Sequence, residues 1–199
     1  LRCGINCQYI NPIAARVRGS DGVVLDTTPI RINGGFSSNV RAAVLGGRWI
    51  VVFQDNASHD SPYATTDGVF IDAGGNKAPE FTIHGTYSTA GGNGIFGIGL
   101  ASSGTVALMV QSQELTSGVE TDLLAHLIDA DGTVHPYVNL TPWKDDQYRP
   151  RATWDGSQFV IAWQDQKIDL GGEWSLEQID ARSDLYSVGC MLYEMLAGA

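Results

Sequence analysis

Hydrophobic residues recur along the chain in short runs, each preceded by a glycine and followed by a glutamine. The three runs are 49–53, 106–110 and 159–163. The flanking residues are Gly47 with Gln54, Gly104 with Gln111, and Gly156 with Gln164. The glutamines are 57 and 53 positions apart. A near-constant period of this size indicates supersecondary units that stack on one another.

None of the three runs alternates between apolar and polar residues. A strand with one face in water should alternate, so a continuous run predicts a strand that is covered on both faces. The third repeat shows four predicted strands most clearly, at 123–129, 133–140, 150–154 and 158–165. Asp-Gly pairs favour tight hairpin turns between strands. Such turns are predicted at Asp21-Gly22, Asp67-Gly68, Asp131-Gly132 and Asp155-Gly156.

These features predict a mainly β fold, a partial β-propeller of about three four-stranded blades followed by a C-terminal α-helix. The predicted blades are 13–62, 63–121 and 122–170, within an incomplete propeller region of 1–170. Propellers close with about four to eight blades, so we expect a fragment of a longer protein. The alternative is an irregular β domain in which the sheets pack without closure.

One stretch resembles the repeat of large bacterial secreted or surface β-propellers. The residues that carry the resemblance are 15–22, Leu25-Asp26, Pro29-Ile30 and 49–55, and the likeness extends over about 13–166. It implies an extracellular or cell-surface location. It implies an architecture but no single activity.

The tail from residue 171 departs from the repeat. Ser175-Leu-Glu-Gln178 and the stretch 179–198 resemble bacterial serine/threonine protein kinases just after the activation segment. The resemblance implies structural roles for Glu177, Asp184 and Gly189, and a cytoplasmic location for this tail if it is native. Leu176 stands where those kinases have proline, and the spacer before Asp180 is several residues shorter than theirs.

The tail also has the pattern of a helix. A serine or aspartate can cap its start, and an apolar stripe at helical spacing follows. The stripe comprises Leu185, Val188, Leu192, Met195 and Leu196. Because aromatic residues make the other side apolar as well, we expect burial or self-association through this helix and an open blade face.

Charge and composition exclude some functions. The net charge of -10, with no basic stripe, argues against a nucleic-acid partner. No apolar run reaches the roughly 18 residues of a transmembrane helix. Cys3 and Cys7 form either a small disulfide loop, as in an exported protein, or two free thiols, and Cys190 stands alone.

Candidate chemistry along the chain is sparse. His59-Asp60 has the composition of a base with its orienting acid, and Asp129-Ala-Asp131-Gly132 that of a calcium-loop start, but a polar loop and a hairpin turn are favoured. Gln54-Asp55 and Gln164-Asp165 end equivalent strands, where they line a rim or, as we favour, satisfy exposed backbone. Gly91–Gly94 lacks the context of a phosphate loop. His84, His126 and His135 are dispersed. We therefore predict no catalytic, cofactor-binding or metal-binding residues.

Two functions remain open. The first is a non-catalytic binding or scaffold module whose ligand is a protein or a glycan. The second is a remnant of a receptor-like serine/threonine kinase with a propeller as its sensor domain.

The chain is expected to have no kinase activity and no measurable affinity for Mg-ATP. The sequence has no Gly-rich phosphate loop, no strand lysine, no His-Arg-Asp catalytic loop and no Asp-Phe-Gly metal site. Isothermal titration calorimetry is the measurement, and micromolar binding of Mg-ATP would contradict this prediction.

Overall fold

The computed structural model of the chain describes residues 12–56, 63–88, 97–116, 120–142 and 146–166. All regular secondary structure in these ranges is β-strand. The chain divides into two compact units, one of residues 1–42 and 47–89 and the other of 43–46 and 90–199. Several predictions fall outside the described residues: the C-terminal helix, Cys3, Cys7, His59, Asp60, Gly91–Gly94, Glu177, Asp184 and Gly189.

The first unit is built on a four-stranded antiparallel sheet with the order β3-β4-β5-β6. Its strands are β3 (Phe36–Leu45), β4 (Arg48–Asn56), β5 (Tyr63–Ile71) and β6 (Phe81–Ser88). A short antiparallel pair, β1 (Ile13–Ala14) and β2 (Ile30–Arg31), accompanies it. Apolar side chains of the pair pack on one face of the sheet, around a buried core of Ile32, Val51, Phe53, Val69 and Ile71.

The second unit repeats this plan with the order β7-β8-β9-β10. Its sheet comprises β7 (Ile98–Ser102), β8 (Val106–Thr116), β9 (Glu120–Asp129) and β10 (Val138–Asn139). The hairpin of β11 (Asp146–Trp154) and β12 (Phe159–Gln166) packs on one face. The core between them includes Leu108, Val110, Leu123, Phe159 and Ile161.

The mainly β character and the four-stranded sheets are therefore as predicted. The sheets span 36–88 and 98–139, however, so each takes its first two strands from one predicted repeat and its last two from the next. A period fixes the length of a repeating unit but not the point at which the unit starts. The predicted strand 133–140 is shorter than expected, with only Val138–Asn139 and a bridge at Val134 paired.

The middle strands show the predicted burial of both faces. Residues 50–53 of β4 and 107–110 of β8 are all buried. The equivalent strand β12 differs, because Ala162 is exposed and Val160 is half-buried. β12 therefore has more apolar side chains than the described part of the chain buries.

The strand pairing shows that the second repeat must be shifted by one residue, relative to the alignment of the apolar runs, to match the first repeat. Trp49 pairs with Ile71 in the first sheet, and the equivalent pair in the second is Ala107 with Ile128. Ile71 and Ile128 are matched because each is bridged across the same five-residue hairpin loop. Gln111 thus corresponds to Phe53, and Ser112 corresponds to Gln54. A shift of one residue moves a side chain to the opposite face of a strand.

Three hairpin loops are each closed by a hydrogen bond from a glycine N–H, which lies three residues after its acceptor in two of the loops and four residues after it in the loop that follows Val17. In the loops that follow Val17, Ile71 and Ile128, a glycine N–H donates to the carbonyl at the start of the turn: Gly22 to Arg18, Gly75 to Asp72, and Gly132 to Asp129. Each of these glycines has positive φ, which glycine adopts without a Cβ clash. The turns predicted at Asp21-Gly22, Asp131-Gly132 and Asp155-Gly156 are therefore present.

The turn predicted at Asp67-Gly68 is wrong, because both residues lie inside β5. Gly68 stands opposite Phe81 in the neighbouring strand. A Cβ built on Gly68 would lie 2.7 Å from the Phe81 ring. Glycine in a strand often marks such a close approach, here of an aromatic ring that stacks at 5.5 Å on Phe70.

Replacing Gly68 with alanine should destabilise the protein by about 1–3 kcal/mol, the usual range for overpacking a core. Gly85→Ala is the matched control, because Gly85 lies in β6 with no atom within 4 Å of a built Cβ. That variant should stay within about 0.5 kcal/mol of the parent. Urea unfolding followed by circular dichroism measures both, and equal effects would refute the steric account.

Candidate functional site

Each sheet has two different ends. At one end, tight turns such as 72–76 and 129–133 join the strands. At the other end, where β4 leads to β5 and β8 leads to β9, the strands carry polar side chains that are buried or, for Asp55, half-buried. We call this the polar end of each sheet: Asn33, Ser37, Gln54, Asp55, Thr66 and Asp67 in the first unit, and Gln111, Ser112, Gln113, Thr121, Asp122 and Thr141 in the second.

Asp67 is the most distinctive residue of the first polar end. Its side chain lies on β5, and the residue is only 8% exposed. Thr65 Oγ1 donates a hydrogen bond of 2.7 Å to Asp67 Oδ2, whereas Asp67 Oδ1 has no partner among the described atoms. Burial raises the pKa of the Asp67 carboxyl, the hydroxyls of Thr65 and Thr82 counteract the rise, and the charges of Asp55 and Glu80 add to it.

A second carboxylate lies on the same face of this sheet. Asp55 pairs with Thr65, which is two residues from Asp67, so all three side chains point to one side. A Cβ built on Gly35 would lie 3.0 Å from Asp55 Oδ1 and 3.2 Å from Asn33 Oδ1. The Gly35 N–H donates to Asn33 Oδ1. Glycine at position 35 therefore allows the loop after β2 to approach the carboxylate closely.

The second polar end repeats the arrangement with different residues. Asp122 on β9 is 8% exposed, and Asn139 Nδ2 donates a hydrogen bond of 2.7 Å to its Oδ2. Its Oδ1 has no partner among the described atoms. Burial raises the pKa of the Asp122 carboxyl, Asn139 counteracts this, and the charge of Asp146 adds to it. In both units a buried aspartate of the third strand is thus held by a neutral side chain.

More accessible residues border the second polar end. The backbone N–H of Thr121 donates 2.9 Å to Asp146 Oδ1, which fixes the first residue of β11 against β9. Two residues along β11, the half-buried Tyr148 hydrogen-bonds to Asp146 and Thr121. Burial and the contact with Asp146 raise the pKa of the Tyr148 phenol. We call Thr121, Asp146 and Tyr148 the rim of this unit. The corresponding end of the first unit carries Tyr63, which is 55% exposed.

The predicted strand-end glutamines have different roles in different repeats. Gln54 is buried, and its Oε1 accepts from Ser38 Oγ at 3.2 Å and Asn39 Nδ2 at 2.9 Å. Gln111 is buried and donates 2.6 Å to Gln113 Oε1. Gln164 is exposed. The side chains of Gln54 and Gln111 therefore bond neighbouring side chains, which the favoured explanation of backbone satisfaction did not include.

Two of the three dispersed histidines are brought together in the second unit. The buried His126 places Nδ1 3.0 Å from the His135 carbonyl, and burial lowers the pKa of the His126 imidazole. His135 Nε2 lies 2.9 Å from Asp129 Oδ2. These contacts hold the ends of the hairpin 129–133 together. The stretch is therefore a hairpin turn, as favoured, and not the start of a calcium loop. Within the described ranges no three His, Cys, Asp or Glu side chains gather as metal ligands.

Sequence reasoning did not single out the buried aspartates. A signal was present, because Thr-Asp occurs at Thr66-Asp67 and again at Thr121-Asp122. In the first of these, the following glycine makes Asp67-Gly68 predict a turn. The contribution of Asn139 depends on the pairing of β9 with β10, which local sequence does not specify.

No protein-family model matches the chain, and a search of the curated proteins finds no match. The resemblances described for 13–166 and 175–198 therefore stay predictions. Among the residues that the structure describes, none forms a helix with the length and apolar character needed to cross a membrane.

The raised pKa of Asp67 gives a prediction with a defined sign. A carboxyl whose pKa is higher in the folded state contributes stability below its unfolded pKa, and this is lost as pH rises through the folded pKa. Asp67→Asn keeps an acceptor for Thr65 and removes that loss. We expect the variant to exceed the parent in stability at pH 7, with the difference shrinking as pH falls and lost below about 4, the ordinary pKa of an unfolded aspartate.

Asp155→Asn provides a control of opposite sign. Backbone N–H groups of Gln158 and Ser157 lower the pKa of Asp155 to about 2. Its contribution is present above the unfolded pKa and lost as pH falls, so this variant should be less stable than the parent at pH 7. Urea unfolding across pH 2–7 measures both variants, and a destabilised Asp67→Asn at pH 7 would contradict the account.

Proposed function

We propose that residues 13–166 form a non-catalytic binding or scaffold module built on consecutive propeller-like blades. Its polar end is the recognition surface for a glycan or protein ligand. The observation that carries the proposal is the recurrence, at the same end of both sheets, of a buried aspartate held by a neutral side chain. Fold stability alone does not require such a group, because a buried ionised carboxyl is destabilising.

The propeller-like arrangement is supported by repetition beyond the apolar runs. Residues 110 positions apart have matching roles in β3 and β11. Asn39 and Arg149 both have positive φ. Two positions later, Arg41 donates 2.8 Å to the Val40 carbonyl, and Arg151 donates 2.9 Å to the Pro150 carbonyl. The two strands are therefore the same element of the first and third repeats, with β7 between them, and β11–β12 corresponds to the first half of a third blade.

Recognition chemistry at the rim favours neutral or cationic ligands. Tyr148 offers an aromatic face with a hydroxyl, and Asp146 offers a carboxylate. Such groups suit sugar rings and their hydroxyls, or basic peptide side chains. The net charge of -10 disfavours anionic partners. The buried Asp122 and the half-buried Asn139 support the strands that present this rim.

We further propose that the chain is not itself an enzyme and that its parent acts outside the cell or at its surface. The resemblance of 13–166 to bacterial secreted propellers supports this location. The alternative, a remnant of a receptor-like kinase with a propeller sensor, is supported by the kinase-like residues Glu177, Asp184 and Gly189.

Removing the Tyr148 ring should weaken ligand binding at least tenfold, because aromatic residues supply much of the contact energy at binding sites. Ligands are first identified by saturation-transfer NMR. The candidates are soluble neutral and cationic oligosaccharides and lysine- and arginine-rich peptides. Affinities of Tyr148→Ala and the parent are then compared by calorimetry.

Tyr137→Ala is the matched control. Tyr137 is also a tyrosine of the second unit and is 49% exposed, but it lies near the turn end against His126. Binding that survives Tyr148→Ala and is lost in Tyr137→Ala would place the recognition surface at the wrong end and refute the proposal.

A further inference from the structure

Three buried oxygen atoms at the polar end of the first sheet have no hydrogen-bond partner among the described atoms. They are Ser37 Oγ, Asp55 Oδ1 and Asp67 Oδ1. Ser37 is 2% exposed and Asp67 is 8% exposed. Buried polar atoms in proteins are almost always paired, so three unpaired oxygens in one region require an explanation, and a bound ion or water is the usual one.

The three side chains lie on one face of the sheet. Asp55 and Asp67 share that face, and their strands are neighbours. In the third repeat Gln147 is directly opposite Asp165, and Ser37 and Asp55 occupy the same two positions 110 residues earlier. Directly opposed residues point to the same side of a sheet. The side chains of Ser37, Asp55 and Asp67 therefore come from three adjacent strands and face the same side.

The loop after β2 adds a fourth oxygen to this group. Asn33 is buried, and a Cβ built on Gly35 would lie 3.2 Å from Asn33 Oδ1 and 3.0 Å from Asp55 Oδ1. Both oxygens are thus close to the same side of the Gly35 backbone. Asn33 Oδ1 accepts the Gly35 N–H, but an amide oxygen has a second lone pair for another partner.

No cationic side chain among the described residues is paired with Asp55 or Asp67. The ion pairs described in this unit join Arg16 to Asp26, Arg18 to Asp21 and Lys77 to Glu80. Two neighbouring carboxylates without a cation repel each other. The charge of Asp55 accordingly contributes to the raised pKa of Asp67. A water molecule could pair the oxygen atoms, but it would leave both negative charges uncompensated.

We propose that Asp55 and Asp67, with the neutral oxygens of Ser37 and Asn33, bind one calcium ion. Carboxylate, amide and hydroxyl oxygens are hard donors, which suit calcium and magnesium better than zinc or copper. Magnesium requires a nearly ideal octahedron, whereas calcium accepts irregular sets of about six to eight oxygens, some of them from water. Donors from three strands and a loop form an irregular set, which favours calcium.

The proposed site differs from a calcium loop, in which the ligands follow one another closely in sequence. Here strand pairing brings the donors together, so the sequence alone predicted no metal-binding residues. All four donors belong to the first unit, and none belongs to the Tyr148 rim. The proposal therefore does not depend on the proposed recognition function, and each can fail without the other.

A calcium titration of the full ¹⁵N-labelled chain, followed by amide chemical shifts, tests the site. The protein is first freed of metal with EDTA. Only two charged ligands are present, so we expect a dissociation constant of roughly 10⁻⁴–10⁻³ M, as in weak calcium modules. The shifts should be largest at Gly35, Ser37, Asp55 and Asp67.

Loss of either charged ligand should weaken binding. Asp55→Asn and Asp67→Asn should each raise the dissociation constant for calcium at least about tenfold, because affinity depends on the number of charged ligands. Asp72→Asn is the matched control. It removes one negative charge from the same unit, but Asp72 lies in the turn 72–76 and accepts hydrogen bonds from Asn76. This variant should bind calcium like the parent.

A change of shape without a change of charge provides a second test. Gly35→Ala places a methyl group against Asp55 Oδ1 and Asn33 Oδ1, so it should raise the dissociation constant at least about tenfold. Gly34→Ala is its control, because a Cβ at position 34 meets only the Arg31 side chain, at 3.5 Å. That variant should keep the affinity of the parent.

Urea unfolding at pH 7 separates loss of the site from loss of the fold. In EDTA, Asp67→Asn should be more stable than the parent, as predicted above. Calcium in millimolar excess should stabilise the parent, because a ligand that binds only the folded state favours folding. Asp67→Asn should gain less from calcium, so its advantage should shrink or reverse.

Several results would overturn the proposal. One is a parent that shows no saturable shifts in millimolar calcium, or shifts only at residues remote from the four donors. Unchanged affinity in Asp67→Asn, or equal weakening in Asp72→Asn, would also overturn it. So would equal stabilisation by sodium chloride at matched ionic strength, since calcium would then act only by screening charge.

Discussion

Burial of both faces of a strand is the constraint on which each unit depends. Residues 107–110 of β8 are all fully buried, so side chains of either parity are removed from water. At roughly 25 cal/mol per Å² of apolar surface, this burial is the main stabilising term of the sheet. It also fixes the register, because sliding a neighbouring strand by one residue would exchange its two faces.

Because the register is fixed, the positions of the polar side chains at the polar end are fixed as well. In β9 the face that buries Leu124 and Ile128 also carries Asp122, which is in register with Gln113 of β8. The apolar pairs thus hold a carboxylate in a place where its own burial is unfavourable. The same relation holds in β5, where Val69 and Ile71 share a face with Asp67. Stability supplied by the apolar part of each strand maintains the less stable polar part.

Features that depend on local composition, such as buried strands, could be predicted from the sequence. Features that depend on which strands pair, such as the phase and register of the sheets, were predicted less well. The apolar runs at 49–53 and 106–110 predicted strands with two buried faces because periodicity is local information. The phase of the sheets, and the equivalence of Ser112 rather than Gln111 to Gln54, depend on hairpin geometry. A hairpin with a different number of residues between paired positions shifts the alignment without leaving a mark in the period.

Only part of the polar end can be predicted from the sequence, because strand pairing brings its residues together. The sequence predicts Gln54 and Asp55 as a recurring strand end, but it predicts a turn at Asp67 because a glycine follows. Gly68 serves packing against Phe81, which lies in a later strand. Likewise, the partner of Asp122 is Asn139, 17 residues away, and only the pairing of β9 with β10 brings them together.

The strand register of the second sheet is the most direct test of this account. Cross-strand nuclear Overhauser contacts between backbone protons of the labelled protein measure it. The account predicts that Val110 contacts Ala125 and that Ala107 contacts Ile128. Contacts of Val110 with Leu124 and of Val106 with Ile128 would instead restore the simple sequence alignment of the repeats and contradict the account.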